Sequence, residues 1–359
     1  MTADISVPGV EDGARLARWI EGQPTTLPPG AALTGVKLIA GGRSNLTYRL
    51  DFGDQPLVLR RPPLGHVLPT AHDMSREYRV LTALHGTNIP VARPVAYCAD
   101  TEIIGSPFYL MEYVDGLVLR TPQDGAQVSP DQARLLSELL TSMMAAIHGT
   151  DLPAVGLDTF GRPEGFMARQ LARWQKQWEL SKTQDVPGYD DLVRRLSDGL
   201  PARAEGTLVH GDYRLDNMLV RLDGQPRIAA VVDWEMATLG DPLADLGLTL
   251  MYWADAADDE RSQLSVGAGV TRLPGFYSRA GVARRYAELT GRDVSGIGYY
   301  MAFGCFKLAV VLEGINARYQ QGKTVGEGFE REGTMVAALV ERAHRMLDTD
   351  PLTGAATTV

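Results

Sequence analysis

The stretch His210-Gly211-Asp212-Tyr213-Arg214-Leu215-Asp216-Asn217, with Asp233 closing a later apolar run, constrains this chain more than any other feature. Residues 207–209 form a short apolar run that reads as a strand entering the polar loop. Residues 218–220 read as a second strand and 228–232 as a third, with the hairpin signal Asp223-Gly224 between them. A hairpin returning to its start is expected to bring Asn217 and Asp233 together. The residue types then suit magnesium-assisted phosphoryl transfer. Asp212 would orient an attacking hydroxyl and accept its proton, while the Asn217 amide oxygen and the Asp233 carboxylate offer hard oxygen ligands to the metal. Singly, each has a structural use: an Asp in a turn, a buried histidine, an Asx turn at Asn217. The combination and its spacing carry the reading.

The pattern H-x-D-x-x-x-x-N, then an apolar strand ending in Asp, copies the kinase catalytic loop and metal strand. HGDYRLDNMLV followed by VVDWEMATLGDPLADLG resembles the aminoglycoside phosphotransferase (APH/choline kinase-like) family. It is particularly similar to the branch that forms the amino-terminal kinase domain of some acyl-CoA dehydrogenase fusion proteins. The resemblance runs from about Leu38 to about Arg345. It implies an α+β, bilobal, protein-kinase-like fold with a small β-rich N-lobe and a mostly helical C-lobe. Residues 1–32 would be an N-terminal helix and linker, 33–114 the nucleotide-binding lobe, and 115–359 the catalytic and substrate-binding lobe. ATP would bind between the lobes with Mg2+ on Asn217 and Asp233. Asp212 would be the catalytic carboxylate, Arg214 would offset charge beside it, and His210 and Asp245 would steady the loop from behind. Glu235, in the place where protein kinases have Phe-Gly after the metal aspartate, reads as a supporting or additional metal ligand, or as a structural glutamate.

The nucleotide side is looser. Gly41-Gly42-Arg43-Ser44-Asn45 precedes a strand-like alternation at Leu46, Tyr48, Leu50 and Phe52, so its backbone N–H groups could face phosphates, with Ser44, Asn45 and Thr47 as extra donors. It is not a Walker A loop. Kinase-like folds carry a lysine on the third strand paired with a glutamate on the next helix. Here Leu57-Val58-Leu59-Arg60 places an arginine there, and Glu77 fits the helix partner. An arginine can bind phosphate bidentately; the bland alternative is an edge-strand surface charge shared with Arg61. Met111-Glu112-Tyr113-Val114 resembles the kinase hinge, which implies adenine contacts through the Glu112 carbonyl and the Val114 amide.

Bulk properties fit one large domain or two lobes: 359 residues, 45% hydrophobic and 22% charged. No apolar run of membrane-spanning length and no signal peptide are expected, so no membrane association is expected and the chain reads as cytoplasmic. Cys98 and Cys305 lie far apart, the pattern of reduced, buried thiols. A net charge of −9 argues against nonspecific nucleic-acid binding. Beyond the small lobe, segments 166–181, 188–199, 278–290, 297–321 and 326–347 read as helices, and Ser129-Pro130-Asp131-Gln132 as a capping signature. Thr70 to Asp73 can start a helix that Gly86 ends.

The run from Asp233 to Asp241 is too short for a protein-kinase activation segment. The expected acceptor is therefore the hydroxyl of a small molecule, an aminoglycoside-like compound or another hydroxylated metabolite. A hydroxyacyl-CoA is the alternative acceptor, and a catalytically silent nucleotide-binding module is the alternative of another class. The segment 174–179 and Tyr252, Trp253, Tyr299, Tyr300 and Phe303 are candidates for the acceptor wall, although most fit a core equally well. Asp255, Asp258, Asp259 and Glu260 form an acidic run that reads as a solvated loop.

Overall fold

The structure is a computed structural model and describes residues 5–39, 45–64, 72–202, 205–255, 258, 269–322 and 333–354. Gly41 to Ser44, Thr70, Asp259 and Glu260 therefore lie outside the described residues. The chain divides into two compact units, 1–117 with 228–237, and 118–227 with 238–359.

The first unit is a five-stranded antiparallel sheet with two helices. Its elements are α1 (Gly13–Glu21), β1 (Gly35–Leu38), β2 (Leu46–Asp51), β3 (Leu57–Arg61), α2 (Met74–Leu84), β4 (Pro94–Cys98) and β5 (Phe108–Glu112), with strand order β1-β2-β3-β5-β4. The alternation that marked residues 46–52 buries Tyr48 and Leu50 on one face, where Leu16 and Ile20 of α1 join Leu57, Leu59, Phe108 and Leu110. Each such aliphatic side chain contributes about 1.5–3 kcal/mol when fully buried. Asp12 caps α1 by accepting from the Arg15 N–H at 2.8 Å. In α2 the cap is Asp73, accepting from the Ser75 and Arg76 N–H groups, and the chain leaves the helix at His85 before Gly86 turns with φ 87°. The buried face of α2 is Glu77, Val80, Leu81 and Leu84. That is one helical stripe, and a carboxylate stands in it where an apolar residue would be expected.

The second unit carries α3 (Pro130–His148), α4 (Leu152–Val155), α5 (Phe166–Ser181), α6 (Tyr189–Asp198), β6 (Thr207–Val209), β7 (Met218–Arg221), β9 (Thr238–Gly240), α7 (Pro242–Tyr252), α8 (Arg279–Thr290), α9 (Ile297–Gln320) and α10 (Val336–Asp348), while β8 (Arg227–Val231) belongs to the first unit from Ile228 onward. The chain passes into the first unit within β8, after Arg227, and returns after Ala237. Ser129 and Gln132 form the expected capping box on α3. The short strand β9, not anticipated from its three residues, pairs antiparallel with β6.

Helix α9 corrects the expectation that no apolar run reaches spanning length. It is apolar and long enough to cross a membrane, yet 78% of its most apolar window is buried inside the protein. Its apolar residues pack against α7, α10 and α5 instead. Gly247 of α7 allows the closest approach, since a Cβ there would meet the Tyr300 Cβ at 2.4 Å. Both cysteines are free and buried.

Candidate functional site

In the first unit the chemistry gathers around Arg60. Pairing of β3 with β2 sets Arg60 opposite Thr47, and pairing with β5 sets it opposite Tyr109. Its Nε donates to Glu77 Oε2 at 2.9 Å and its Nη1 to Thr47 Oγ1 at 3.1 Å. Nη2 donates to Asp233 Oδ1 and lies 3.8 Å from Glu235 Oε2. The guanidinium is 11% exposed and the Glu77 carboxylate 2%. Arg60 is thus an interior residue, not an edge-strand surface charge. Arg61 is interior too, with Nη1 donating to the carbonyls of Gly9 and Ile104. Burial pushes the Glu77 carboxyl up, and the Arg60 charge only partly reverses this.

Asp233 reaches Arg60 because the end of β8 is tied into the first unit. The Val231 N–H donates to the Pro90 carbonyl at 2.8 Å, and the Trp234 indole donates to the Val231 carbonyl at 3.0 Å. Asp233 has φ 68°, the one non-glycine residue in the left-handed region among the described residues. A carboxylate held in that conformation costs about 1–2 kcal/mol, a kind of strain that collects at functional positions. Asn45 is 1% exposed and bonded at both ends: Oδ1 pairs with His72 Nδ1 at 2.8 Å, and Nδ2 donates to Glu235 Oε2 at 3.0 Å. Its side chain is occupied here, whereas the sequence had offered it as a phosphate donor. The Glu112 carboxylate is likewise committed, accepting from Arg93 at 2.8 Å and Thr26 at 3.2 Å; Arg93 holds its carboxyl below the usual range. Val114 follows β5 and is partly buried.

In the second unit the loop after β6 is built from behind. Gly211, at φ 82°, turns the backbone so that two successive N–H groups, of His210 and Gly211, donate to the two oxygens of Asp245 at 2.6 and 2.8 Å. His148 Nε2 lies 3.3 Å from the same carboxylate. Burial opposes ionisation of Asp245, but the hydrogen bond and charge of His148 outweigh it and leave the carboxyl below its ordinary value. His210 is fully buried, and its Nδ1 accepts from the Asp212 N–H at 3.3 Å. Tyr213 is pinned through its hydroxyl to the Leu140 carbonyl and through its own carbonyl to the Thr249 hydroxyl.

These anchors set Asp212 and Asn217 in contact. Asn217 Nδ2 donates to the Asp212 carbonyl at 2.8 Å and to Asp212 Oδ2 at 3.0 Å. The amide is therefore oriented, and among the described residues its Oδ1 has no hydrogen-bond donor. Arg214 bridges the loop's acids, with Nε 3.4 Å from Asp212 Oδ2 and Nη2 3.2 Å from Asp216 Oδ2, and its guanidinium lies 5.0 Å from the Tyr252 ring centroid. Burial raises the Asp216 carboxyl against the pull of Arg214. A small cavity beside this bridge is lined by Arg120, Arg214, Asp216, Tyr252, Trp253 and Thr271 among others. Of the aromatic candidates, Tyr252 and Trp253 border it. Tyr299 and Tyr300 instead bind the Leu196 carbonyl and Asp241, and Phe303 is buried in the core.

Two groups escaped the sequence reading. Asp216, inside the loop, pairs with Arg214 although its place in the motif implies no role. Lys307, on the mostly buried α9, donates its Nζ to the Gly211 carbonyl at 2.8 Å. A lysine inside an apolar helix was the available signal. The acidic run is also not a solvated loop where it is described, since Asp255 and Asp258 both pair with Arg279.

The donor set fits magnesium. Among the described residues no group of three or more His, Cys, Asp or Glu could hold a metal. Magnesium rarely needs such a cage, because it takes one or two carboxylates and completes its shell with water and phosphate oxygens. Within the first unit one positive charge, Arg60, faces Glu77, Asp233 and Glu235; within the second, the Asn217 Oδ1 is a hard oxygen of the same kind.

The profile of the phosphotransferase enzyme family matches residues 35–277. Acyl-CoA dehydrogenase family member 11 of Gallus gallus is 34% identical over 331 residues, covering 91% of this chain and 42% of that protein. Acyl-CoA dehydrogenase family member 10 of Mus musculus is 33% identical over 308 residues, covering 84% of this chain and 28% of that protein. The chain thus spans less than half the length of these relatives. Among solved structures, a Ralstonia eutropha protein assigned as an aminoglycoside phosphotransferase aligns with a TM-score of 0.77 at 32% identity, over 93% of this chain and 98% of its own. A spectinomycin phosphotransferase, solved with ADP and spectinomycin, shares the kinase-like fold at 12% identity and a TM-score of 0.60, over 93% of this chain and 98% of its own.

Proposed function

This chain belongs to the phosphotransferase enzyme family, and on that premise we propose that it transfers the γ-phosphoryl group of ATP to the hydroxyl of a small molecule in a magnesium-dependent reaction. The observation that carries this reading is the loop in which Asn217 Nδ2 holds both the backbone carbonyl and the carboxylate of Asp212. Asp212 is fixed by that contact and by the Asp245 anchors behind it, so its carboxylate can orient an alcohol. As the acceptor oxygen bonds to the γ-phosphorus, the bond to the β-phosphate oxygen breaks. The hydroxyl proton passes to Asp212, and ADP leaves with the bridging oxygen.

Asn217 and Asp233 are the residues that would hold magnesium, which when bound screens the charge on the nucleotide phosphates. Arg60, fixed by Glu77, supplies positive charge on the nucleotide side, where Ser44, Asn45, Glu112 and Val114 are the proposed nucleotide contacts. The side chains of Asn45 and Glu112 are occupied in the first unit, so for these two the contact would fall to the backbone. Arg214 tempers the charge of Asp212 and Asp216. Glu235 and His210 support the ligating residues.

A hydroxylated acyl thioester is the second reading of the acceptor. It is favoured by the identity shared with acyl-CoA dehydrogenase family proteins, and aminoglycosides are disfavoured because Asp255 and Asp258 are already neutralised by Arg279. The test is Asp212→Asn. It should keep nucleotide affinity while turnover falls by about 10²–10⁴-fold, the range for loss of a general base. Undiminished turnover with the acceptor would overturn the assignment. Nucleotide binding by the unaltered protein, with no turnover across a broad library of alcohols, would mark a silent nucleotide-binding module.

A further inference from the structure

Trp174 on α5 is 8% exposed, and its indole N–H is buried with no hydrogen-bond partner among the described residues. Buried donors are nearly always satisfied, so an unmet one asks for an acceptor from outside the chain. Two cations lie close to the ring: Lys307 Nζ is 5.6 Å from the ring centroid and Cζ of the exposed Arg173 is 5.5 Å from it. Neither cation has a carboxylate at ion-pair distance among the described residues. Lys307 spends one of its three donors on the Gly211 carbonyl, which places its ammonium beside the residue preceding Asp212. Burial, and after it the charges of Arg173 and Arg214, lower its hold on the proton, while Asp212 and Asp245 oppose this, so a further anion would favour the charged form.

We propose that Trp174, Lys307 and Arg173 form a seat for an anionic group, carboxylate or phosphate, on the molecule whose hydroxyl meets Asp212. The seat rests on the phosphotransferase reading for its purpose but not for its existence, and it assigns the acceptor to the anionic alcohols. Trp174 supplies a directional N–H, and the two cations supply charge-assisted contacts.

The experiment is calorimetry on the full chain carrying Asp212→Asn, so that binding is read without turnover. The probes are two matched pairs, 3-hydroxybutyrate against its methyl ester and glycerol 3-phosphate against glycerol. At least one anion should bind about tenfold or more tightly than its neutral partner, as expected for hydrogen bonds to a charged group. Preference for the carboxylate or for the phosphate tells which group the seat takes. Lys307→Met should abolish the preference and Lys307→Arg restore part of it. Trp174→Phe, which keeps the ring packing and removes only the N–H, should reduce it several-fold. Equal binding of charged and neutral partners, or a preference unmoved by these variants, would overturn the proposal. ADP release by the unaltered protein separates the two readings. Anion preference without any acceptor-stimulated release would leave the seat and remove the phosphotransferase reading. Stimulation by neutral alcohols equal to that by anions would do the reverse.

Discussion

Around Arg60, in the first unit, one cation faces three carboxylates; around Trp174, in the second, two cations face no carboxylate at ion-pair distance among the described residues. The contrast teaches what each region lacks. The first is short of positive charge, which a divalent cation can supply. The second is short of an acceptor, which an anionic substrate can supply. Between these extremes, Arg214 is balanced by Asp212 and Asp216 within the loop 210–217.

Removing the single cation should break the comparison most severely. Arg60→Ala leaves Glu77 buried and uncompensated, and is expected to cost about 3–5 kcal/mol in urea unfolding, with Arg60→Lys costing less. A variant as stable as the parent would mean the carboxylates are not held by this charge. Magnesium should also restore stability to Arg60→Ala more than it adds to the parent.

Asp245→Asn comes next, at about 1.5–3 kcal/mol for hydrogen bonds to a charged acceptor. The pH dependence has a definite sign. The folded-state carboxyl of Asp245 lies below its ordinary value, so its contribution is present above an unfolded pKa near about 4 and is lost as pH falls through the folded value. The stability gap between parent and variant should therefore shrink on acidification below about pH 4. A gap that stayed constant would deny the ionised anchor.

The smallest effect sharpens the reading of Asp233. Asp233→Ala should weaken magnesium-dependent nucleotide binding in calorimetry run with and without the metal, and leave metal-free binding little changed. Asp233→Gly should do the same, yet unfold about 1 kcal/mol later than the alanine variant, because glycine accepts the left-handed conformation without penalty. Equal stability of the two would mean that the conformation stores no strain.

Local patterns carried much of this into the sequence. The strands at 46–52, 57–61 and 207–209 announce themselves by alternation or by apolar runs, and the capping box at Ser129 marks α3. The loop 210–217 is legible because its residues are close in sequence and their spacing is rigid. What stayed hidden depends on distance. Arg60 faces the interior because β3 lies between β2 and β5 with Glu77 on the buried stripe of α2, and neither neighbour is visible in its local sequence. Lys307 reaches Gly211 across almost a hundred residues of chain, so no local window holds both. The commitments of Asn45 to His72 and Glu235, and of Glu112 to Arg93, are likewise long-range and invisible to a motif. Strand β9 is too short for periodicity to register.

The central claim is phosphoryl transfer to a small-molecule hydroxyl, and ADP release tests it most directly. The unaltered chain and Asp212→Asn would be assayed side by side with ATP and magnesium against hydroxylated metabolites, acyl-CoA species and aminoglycosides. The account predicts that at least one hydroxylated compound stimulates ADP release by the unaltered chain, and that Asp212→Asn loses this stimulation while still binding ATP. Stimulation of equal size in both proteins would contradict it.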